Sequence, residues 1–335
     1  MCLISLGGDI INTIVFLGTQ KSGSSRNAIR AAEDLGFYTC LLTDNSKILN
    51  QRSEYPDVHL MHYCELDKID KVREKIKSLR KHALNICAIV AFTDPYCALA
   101  SQLAAEFGLP SHSTEAMYIM QNKLKSREAL KNTPYNPKYF VLTKTTKDQE
   151  INLYPCVVKY IDSNGSKDVY FCHNKEEYDK SVKKLFDKYP NGNVLVEEYL
   201  DGPQYIVETI VINNKVQIIA IIAQEIECFN KHFIITGYKL YLDYSKEFYD
   251  SLRSAVVNIL KELKFANGPC HFEIRHVNGE WKLVEINPRI SGAGMNQLLL
   301  TGLGVNVVKE TIKESLNLDS DFEPRYHHHT FAKYV

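Results

Sequence analysis

The 335-residue chain has no net charge at neutral pH, because forty basic side chains cancel forty acidic ones. That removes the global field that nucleic acid or an anionic membrane surface would exploit. Long apolar runs are also missing. IIAIIA at Ile218–Ala223 is among the longest, far short of the roughly 20 residues that cross a bilayer. The opening MCLISLGGDIIN lacks a basic stretch and is broken by Asp9 and Asn12, so it reads poorly as a secretion signal. No CxxC pair occurs among the nine cysteines. Their odd count, with Cys40, Cys87, Cys156 and Cys270 in or beside apolar runs, fits reduced thiols packed as small hydrophobes. A GxGxxG fingerprint is absent as well: Gly18 and Gly23 do not make it, so a nicotinamide cofactor is not expected even with Asp44 near the ribose position. His327–His329 read as a polar stretch, since three adjacent side chains cannot converge on one ion in regular structure. What is present, 45% hydrophobic and 24% charged residues, describes a cytoplasmic globular protein of two or three domains.

The first ~110 residues alternate strand and helix patterns. TIVFLG (Thr13–Gly18), FYTCLLTDN (Phe37–Asn45) and NICAIVAFT (Asn85–Thr93) read as strands. Helical spacing covers Asn27–Leu35, Lys68–Lys81 and a stretch ending at Phe107. Such alternation predicts a parallel sheet with helices on both faces. One helix is expected over Thr114–Lys131, then a connector at Thr133–Pro137. From Lys138 to Tyr199 the order reads strand, strand, helix, strand. Long strands over Tyr205–Ala223, a helix near Lys246–Leu263, the strands HFEIRHV and WKLVEINPR, and a helix over Val305–Leu316 complete the chain.

Four segments make chemical sense together, although taken alone the first also reads as a solvated hairpin, the second as an exposed hairpin corner and the fourth as a turn before a helix. In PCVVKYIDSNGSKDVY, Lys159 precedes a loop whose Ser163, Gly165 and Ser166 let backbone N–H groups approach a phosphate. In VLVEEYLDGPQY, Glu197 at a strand edge can meet an adenine amine and Gln204 a ribose. In HFEIRH and VEINPR, Glu273 shares a strand face with Arg275, and Glu285 shares one with Asn287, because side chains alternate with period two. Two carboxylates and an amide oxygen make a hard-oxygen set suited to Mg²⁺, and burying two acids among Phe272, Ile274, Val284 and Ile286 otherwise has little reason. In ISGAGMNQ, the small residues after Arg289 allow a substrate close to the backbone. Glu273 and Glu285 share an ion only if they project from one sheet face, so an unbulged two-residue turn at Asn278-Gly279 is excluded. The expected connection is a three-residue loop, Val277–Gly279, with Gly279 left-handed and Glu273 pairing with Leu283.

Together NKLKSRE (Asn122–Glu128), VVK with SNGSKDV, VEEYLDGPQY, HFEIR and VEINPRISGAG resemble, in order and spacing, the ATP-grasp superfamily. The likeness is to its carboxylate–amine ligases, L-amino acid ligases included, and to carbamoyl phosphate synthase and biotin carboxylase modules. It implies an α/β fold, α+β in its C-terminal part: an ATP-grasp domain over 113–335 preceded by a Rossmann-like parallel-sheet domain over 1–112, with a mobile lid at about 138–200. It implies ATP and Mg²⁺ as cofactors, with Mn²⁺ as a substitute. Lys123 and Lys159 would contact phosphates, with Ser163–Val169 as the phosphate flap. Glu197 and the backbone of Glu198, Tyr199 and Leu200 would hold adenine, and Gln204 would lie near the ribose. Glu273, Glu285 and Asn287 would ligate metal, Arg289 would steady the transferred phosphoryl group, and Arg275, Ser291, Gly292 and Gly294 would face substrate. The implied activity joins a small-molecule carboxylate, activated as an acyl phosphate, to an amine. Nucleic acid and membrane partners are not expected, and a homodimer is permitted. The alternatives are a carboxyphosphate-forming module and a non-catalytic ATP-binding regulator. The sequence departs from the family at Asp168, where a glycine is common, and at Ile235, where many amino acid ligases carry an acid.

Overall fold

A computed structural model of the protein describes residues 11–81, 84–162, 167–229 and 232–333. It divides into two compact units, one of Met1–Met117, Asn267–Pro269 and Pro288–Tyr326, the other of Tyr118–Ala266, Cys270–Asn287 and His327–Val335.

The first unit opens with β1 (Ile11–Leu17), α1 (Ser24–Asp34), β2 (Tyr38–Thr43), α2 (Ser46–Asn50), β3 (Leu60–Tyr63), α3 (Ile69–Lys81), β4 (Leu84–Val90) and α4 (Cys97–Glu106). The sheet is parallel, in the order β3-β2-β1-β4. Residues Thr13–Leu17 of β1 are all buried, as a strand covered on both faces requires. Val15, Leu17, Cys40 and Leu42 pack with Val72, Ile76 and Leu103 from the helices. No disulfide links the described cysteines.

The chain continues through α5 (Thr114–Met120) and α6 (Lys123–Ala129). One helix was expected here; Asn122 interrupts it, its extended backbone and side chain capping the Lys125 N–H of a new helix. A small antiparallel sheet follows, built from β5 (Tyr139–Leu142), β6 (Cys156–Tyr160), β7 (Val169–Cys172) and β8 (Val194–Glu198), with α7 (Lys175–Lys188) against it. Its order is β5-β8-β6-β7. The short edge strand β5 escapes the sequence reading because its four residues, YFVL, show no apolar–polar alternation. Cys156, Val158, Cys172, Val194 and Val196 meet Tyr178, Val182 and Leu185 of α7 on one face.

The second unit's larger sheet has β9 (Gln204–Ile212), β10 (Lys215–Phe229), β11 (His232–Leu240), β12 (Gly268–Val277) and β13 (Glu280–Asn287), with α8 (Lys246–Glu262) between β11 and β12 in sequence. α9 (Met295–Leu303) and α10 (Val307–Glu314) return to the first unit, and β14 (Phe331–Lys333) ends the large sheet. The sheet order is β13-β12-β9-β10-β11-β14. His327–His329 are exposed, and the described residues contain no metal-holding cluster of three His, Cys, Asp or Glu side chains.

Candidate functional site

In β6, alternation sends Cys156 and Val158 toward α7 and Lys159 to the opposite face. Pairing of β6 with β8 sets Val157 opposite Glu197, which makes Lys159 and Glu197 diagonal neighbours on that face. Lys159 Nζ lies 2.5 Å from one Glu197 oxygen, and Arg127 Nε on α6 donates to the other. All three side chains are buried. Burial raises the Glu197 carboxyl, but the Arg127 and Lys159 charges overcome it and bring it down to about 2. Burial lowers Lys159, against the opposing pull of Glu197. Both Glu197 oxygens are thus taken by internal cations. This carboxylate, expected at an adenine amine, pairs in the structure with Lys159 and Arg127.

The hairpin of β12 and β13 also differs from expectation. Val277 pairs with Glu280, so the connection is the two-residue turn Asn278-Gly279, with φ of 50° and 84°. A primed turn of this kind follows the right-handed twist of its strands, which is why Asn-Gly selects it over the three-residue loop. The side chains still reach one face, because the register shifts between Glu273 and Ile274: Ile274 pairs with Leu283, Glu273 with Glu285, and Val284 is the extra residue of a bulge. Arg127 Nη2 donates to the Val284 carbonyl at 2.6 Å, and Leu283 N–H donates to Tyr135 O at 2.7 Å. The same arginine therefore fixes both Glu197 and the bulge.

Directly opposed acids repel, and pay for their closeness only where a cation stands between them. Lys123 Nζ is 3.6 Å from Glu285 Oε1, while Gln204 Nε2 donates to Glu273 Oε2 at 3.1 Å. Asn287 pairs with His271, its Nδ2 3.3 Å from the His271 Nε2, which turns its oxygen side away from that ring. Two carboxylates and one amide on adjacent strands form an oxygen set that fits Mg²⁺, which usually takes one or two carboxylates plus phosphate oxygens. Gln204 also donates to Gln224 Oε1 at 2.7 Å and accepts from Arg275 Nε at 2.8 Å. Gln224 Nε2 is buried without a hydrogen-bond partner, an open donor on this row. Arg275, expected at a substrate, is buried; it donates to Leu200 O and lies 5.3 Å over the Tyr199 ring, so it holds the linker after β8.

Along that linker, Glu198 Oε1 accepts the Lys138 N–H at 2.9 Å and the Tyr199 N–H donates to Pro155 O at 3.0 Å. Tyr199 packs on Phe171 and Phe233, and Leu200 is buried. Ser163, Gly165 and Ser166 lie outside the described residues. Asp168 has a φ of 54°, which explains why a glycine suits this position. Its carboxylate is held by Lys188 and by the Tyr189 hydroxyl, and the Lys188 hydrogen bond lowers its pKa. The negative charge introduced at this position is therefore neutralised locally.

In the first unit, Arg289 donates to Asp94 Oδ2 through Nε at 2.8 Å and Nη2 at 2.5 Å, and to Ile290 O at 3.0 Å. The Ser24 hydroxyl donates to Ser291 O at 2.6 Å. Gly23, with φ 82°, brings its Cα so near the Ala293 backbone that a Cβ would sit 3.3 Å from it. Around Gly292 only Arg289 Nη1, at 3.9 Å, would meet a Cβ, and Gly294 is the N-cap of α9. Arg127, His271, Gln224 and Asp94 were missed in the sequence. Arg127 had a usable signal: it stands four residues after Lys123, on the same helical face.

The ATP-grasp domain family matches residues 152–297, and the ATP-grasp N-terminal domain family matches 29–111. The chain therefore belongs to the ATP-grasp superfamily, a mixed α/β fold with a parallel N-terminal sheet. It is 26% identical over 255 residues to the uncharacterized protein y4rH of Sinorhizobium fredii, covering 72% of this chain and 52% of that one. It is 24% identical over 312 residues to the carbamoyl phosphate synthase large chain of Vibrio vulnificus, covering 88% of this chain but 28% of the relative. The chain thus spans about half or less of these relatives. The crystal structure of L-amino acid ligase from Bacillus licheniformis superposes with a TM-score of 0.78 at 19% identity, covering 93% of this chain and 77% of that one, a likeness of fold. No helix among the described residues is long and apolar enough to cross a membrane.

Proposed function

We propose that the chain is an ADP-forming, ATP- and Mg²⁺-dependent ligase that activates a small-molecule carboxylate, an amino acid in the first instance, and joins it to an amine in the cytoplasm. The observation that carries this reading is the Glu273–Glu285 pair, opposed on one sheet face beside Lys123 and within the field felt by Lys159. Glu273, Glu285 and Asn287 would hold the metal, and Mg²⁺ would supply Lewis-acid polarisation of the phosphate oxygens. Lys159 and Lys123 would neutralise the phosphates, with Glu197 and Arg127 fixing the Lys159 ammonium so that little reorganisation is needed. The loop Ser163–Val169 would cover the phosphates as part of a lid over about 138–200. Tyr199, Leu200 and Gln204 would border adenine and ribose. A substrate carboxylate oxygen attacks the terminal phosphorus as the bond to ADP breaks. The amine nitrogen then attacks the acyl carbon, losing a proton as phosphate leaves. Arg289 would steady the transferred group.

The carbamoyl phosphate synthase relative, aligned with 88% of the chain, favours a second reading in which the activated acid is bicarbonate. Mixing the protein with ATP, Mg²⁺ and pairs drawn from amino acids, amines and bicarbonate, and reading ADP and product mass, decides between them. ADP formed only with an organic acid and amine supports the ligase; ADP formed with bicarbonate alone supports the alternative. Binding of ATP with no ADP from any pair leaves a regulator and overturns both.

A further inference from the structure

In the parallel sheet of the first unit, β1 has β2 on one side and β4 on the other. Sheets of this class take ligands in the crevice at the carboxyl ends of such neighbouring strands, where the chain departs in opposite directions. Thr93 follows β4, is 9% exposed, and has an Oγ1 with no hydrogen-bond partner. That hydroxyl faces the end of β1, 3.2 Å from where a Gly18 Cβ would be. The next residue, Asp94, gives Oδ2 to Arg289, yet its Oδ1 is buried and also lacks a partner. Buried polar atoms without partners carry an uncompensated desolvation cost, so two on consecutive residues need explaining. Arg289 additionally lines a cavity of about 30 Å³ within the same unit, walled by Ile89, Phe92, Cys97, Ala100 and Ile290. A single water needs only about 10–15 Å³, so the space fits a small side chain.

Arg289 and Asp94 neutralise each other. A ligand with a carboxylate alone could take Arg289 only by stranding the Asp94 charge, which is strongly unfavourable in a part-buried site. A zwitterion replaces both partners at once. Its ammonium brings N–H donors, which the two orphan oxygens lack. We propose that Thr93 and Asp94 form the ammonium site for a small apolar α-amino acid, whose carboxylate displaces Asp94 from Arg289 and whose side chain enters the cavity that Arg289 lines. This rests on the ligase reading and narrows its acid to a zwitterion, but occupancy can be read without turnover.

The test is calorimetric titration of the full chain with L-alanine and L-valine and with their des-amino counterparts, propionate and 3-methylbutanoate. Each titration is run alone and with Mg²⁺ and a non-hydrolysable ATP analogue. The wild type should bind one of the amino acids at least about 30-fold more tightly than its des-amino counterpart, the difference expected of hydrogen bonds to a charged group. Asp94→Asn should weaken the amino acid by about the same factor and bring the two ligands within roughly threefold, and Thr93→Val should cost about fivefold. Melting curves verify folding; should Asp94→Asn fail to fold, Thr93→Val and the wild-type ratio still decide. No binding of either amino acid by the wild type, or undiminished discrimination in a folded Asp94→Asn protein, overturns the proposal. Analogue binding without amino acid binding rejects this site and leaves the ligase reading in place; amino acid binding without analogue binding does the reverse.

Discussion

Glu197 and the Glu273–Glu285 pair belong to the same unit, and Lys159 feels the charge of both Glu197 and Glu285, yet the surroundings of the two sets of acids are opposite. Glu197 is buried with a cation on each oxygen. Glu273 and Glu285 face each other across a bulged hairpin, with Lys123 at 3.6 Å from one and a neutral amide on the other. An acid whose lone pairs are spent on internal cations orients its neighbours, whereas acids set against one another are left to recruit a cation from outside. Proximity to a nucleotide motif does not distinguish the two; the partners do.

The difference is sharpest in stability. Glu197→Gln should destabilise the protein by about 3–5 kcal/mol, because Arg127 and Lys159 would stay buried with their counter-ion removed. Glu285→Gln should change denaturant stability by less than ~0.5 kcal/mol, since it relieves a like-charge contact. Its effect should fall on turnover instead, lowering kcat about 10²–10³-fold, as lost stabilisation of developing charge does. Chemical denaturation and steady-state assays on the two proteins check both arms; equal loss of stability would erase the distinction.

Acid should expose Glu197 next. Its folded pKa of about 2 lies below the model-compound 4.5, so its contribution is full above pH 4.5 and is lost as pH falls toward 2. At 1.36 kcal/mol per unit this amounts to about 3 kcal/mol. Urea midpoints measured from pH 6 to pH 3 should fall more steeply in the wild type than in Glu197→Gln. Parallel curves would mean that the triad does not control the acid limb.

The smallest effect is expected at the loop. Asp168→Gly removes left-handed strain worth about 1 kcal/mol and loses an exposed lysine partner worth about as much. Melting temperature should therefore move little, and a loss above ~2 kcal/mol would show that the Lys188 contact matters more than its exposure suggests.

Why the sequence exposed some of this and hid the rest follows from range. The strand–helix alternation of the first unit and the acids of β12 and β13 are legible because period-two and period-3.6 patterns are local. The hairpin required the two acids to share a face, and that requirement held, but the device was misplaced. Asn278-Gly279 took the two-residue turn its residues favour, and the odd register came from Val284, whose bulge depends on Arg127 some 157 positions away. The surroundings of Glu197 were hidden for the same reason. Its counter-ions come from α6 and β6, and no local pattern reports that both of its oxygens are occupied. Asp94 gave no local signal either, since its partner Arg289 lies 195 residues along the chain.

Mn²⁺ binding in the presence of ATP, followed by electron paramagnetic resonance, tests the contrast most directly. Glu273→Gln and Glu285→Gln should each weaken the metal by at least about tenfold, as the loss of one of two carboxylate ligands implies, while a folded Glu197→Gln protein should hold Mn²⁺ within about threefold of the wild type. Wild-type metal affinity in Glu273→Gln and Glu285→Gln, or selective loss in Glu197→Gln, would contradict the division between a spent acid and an open pair.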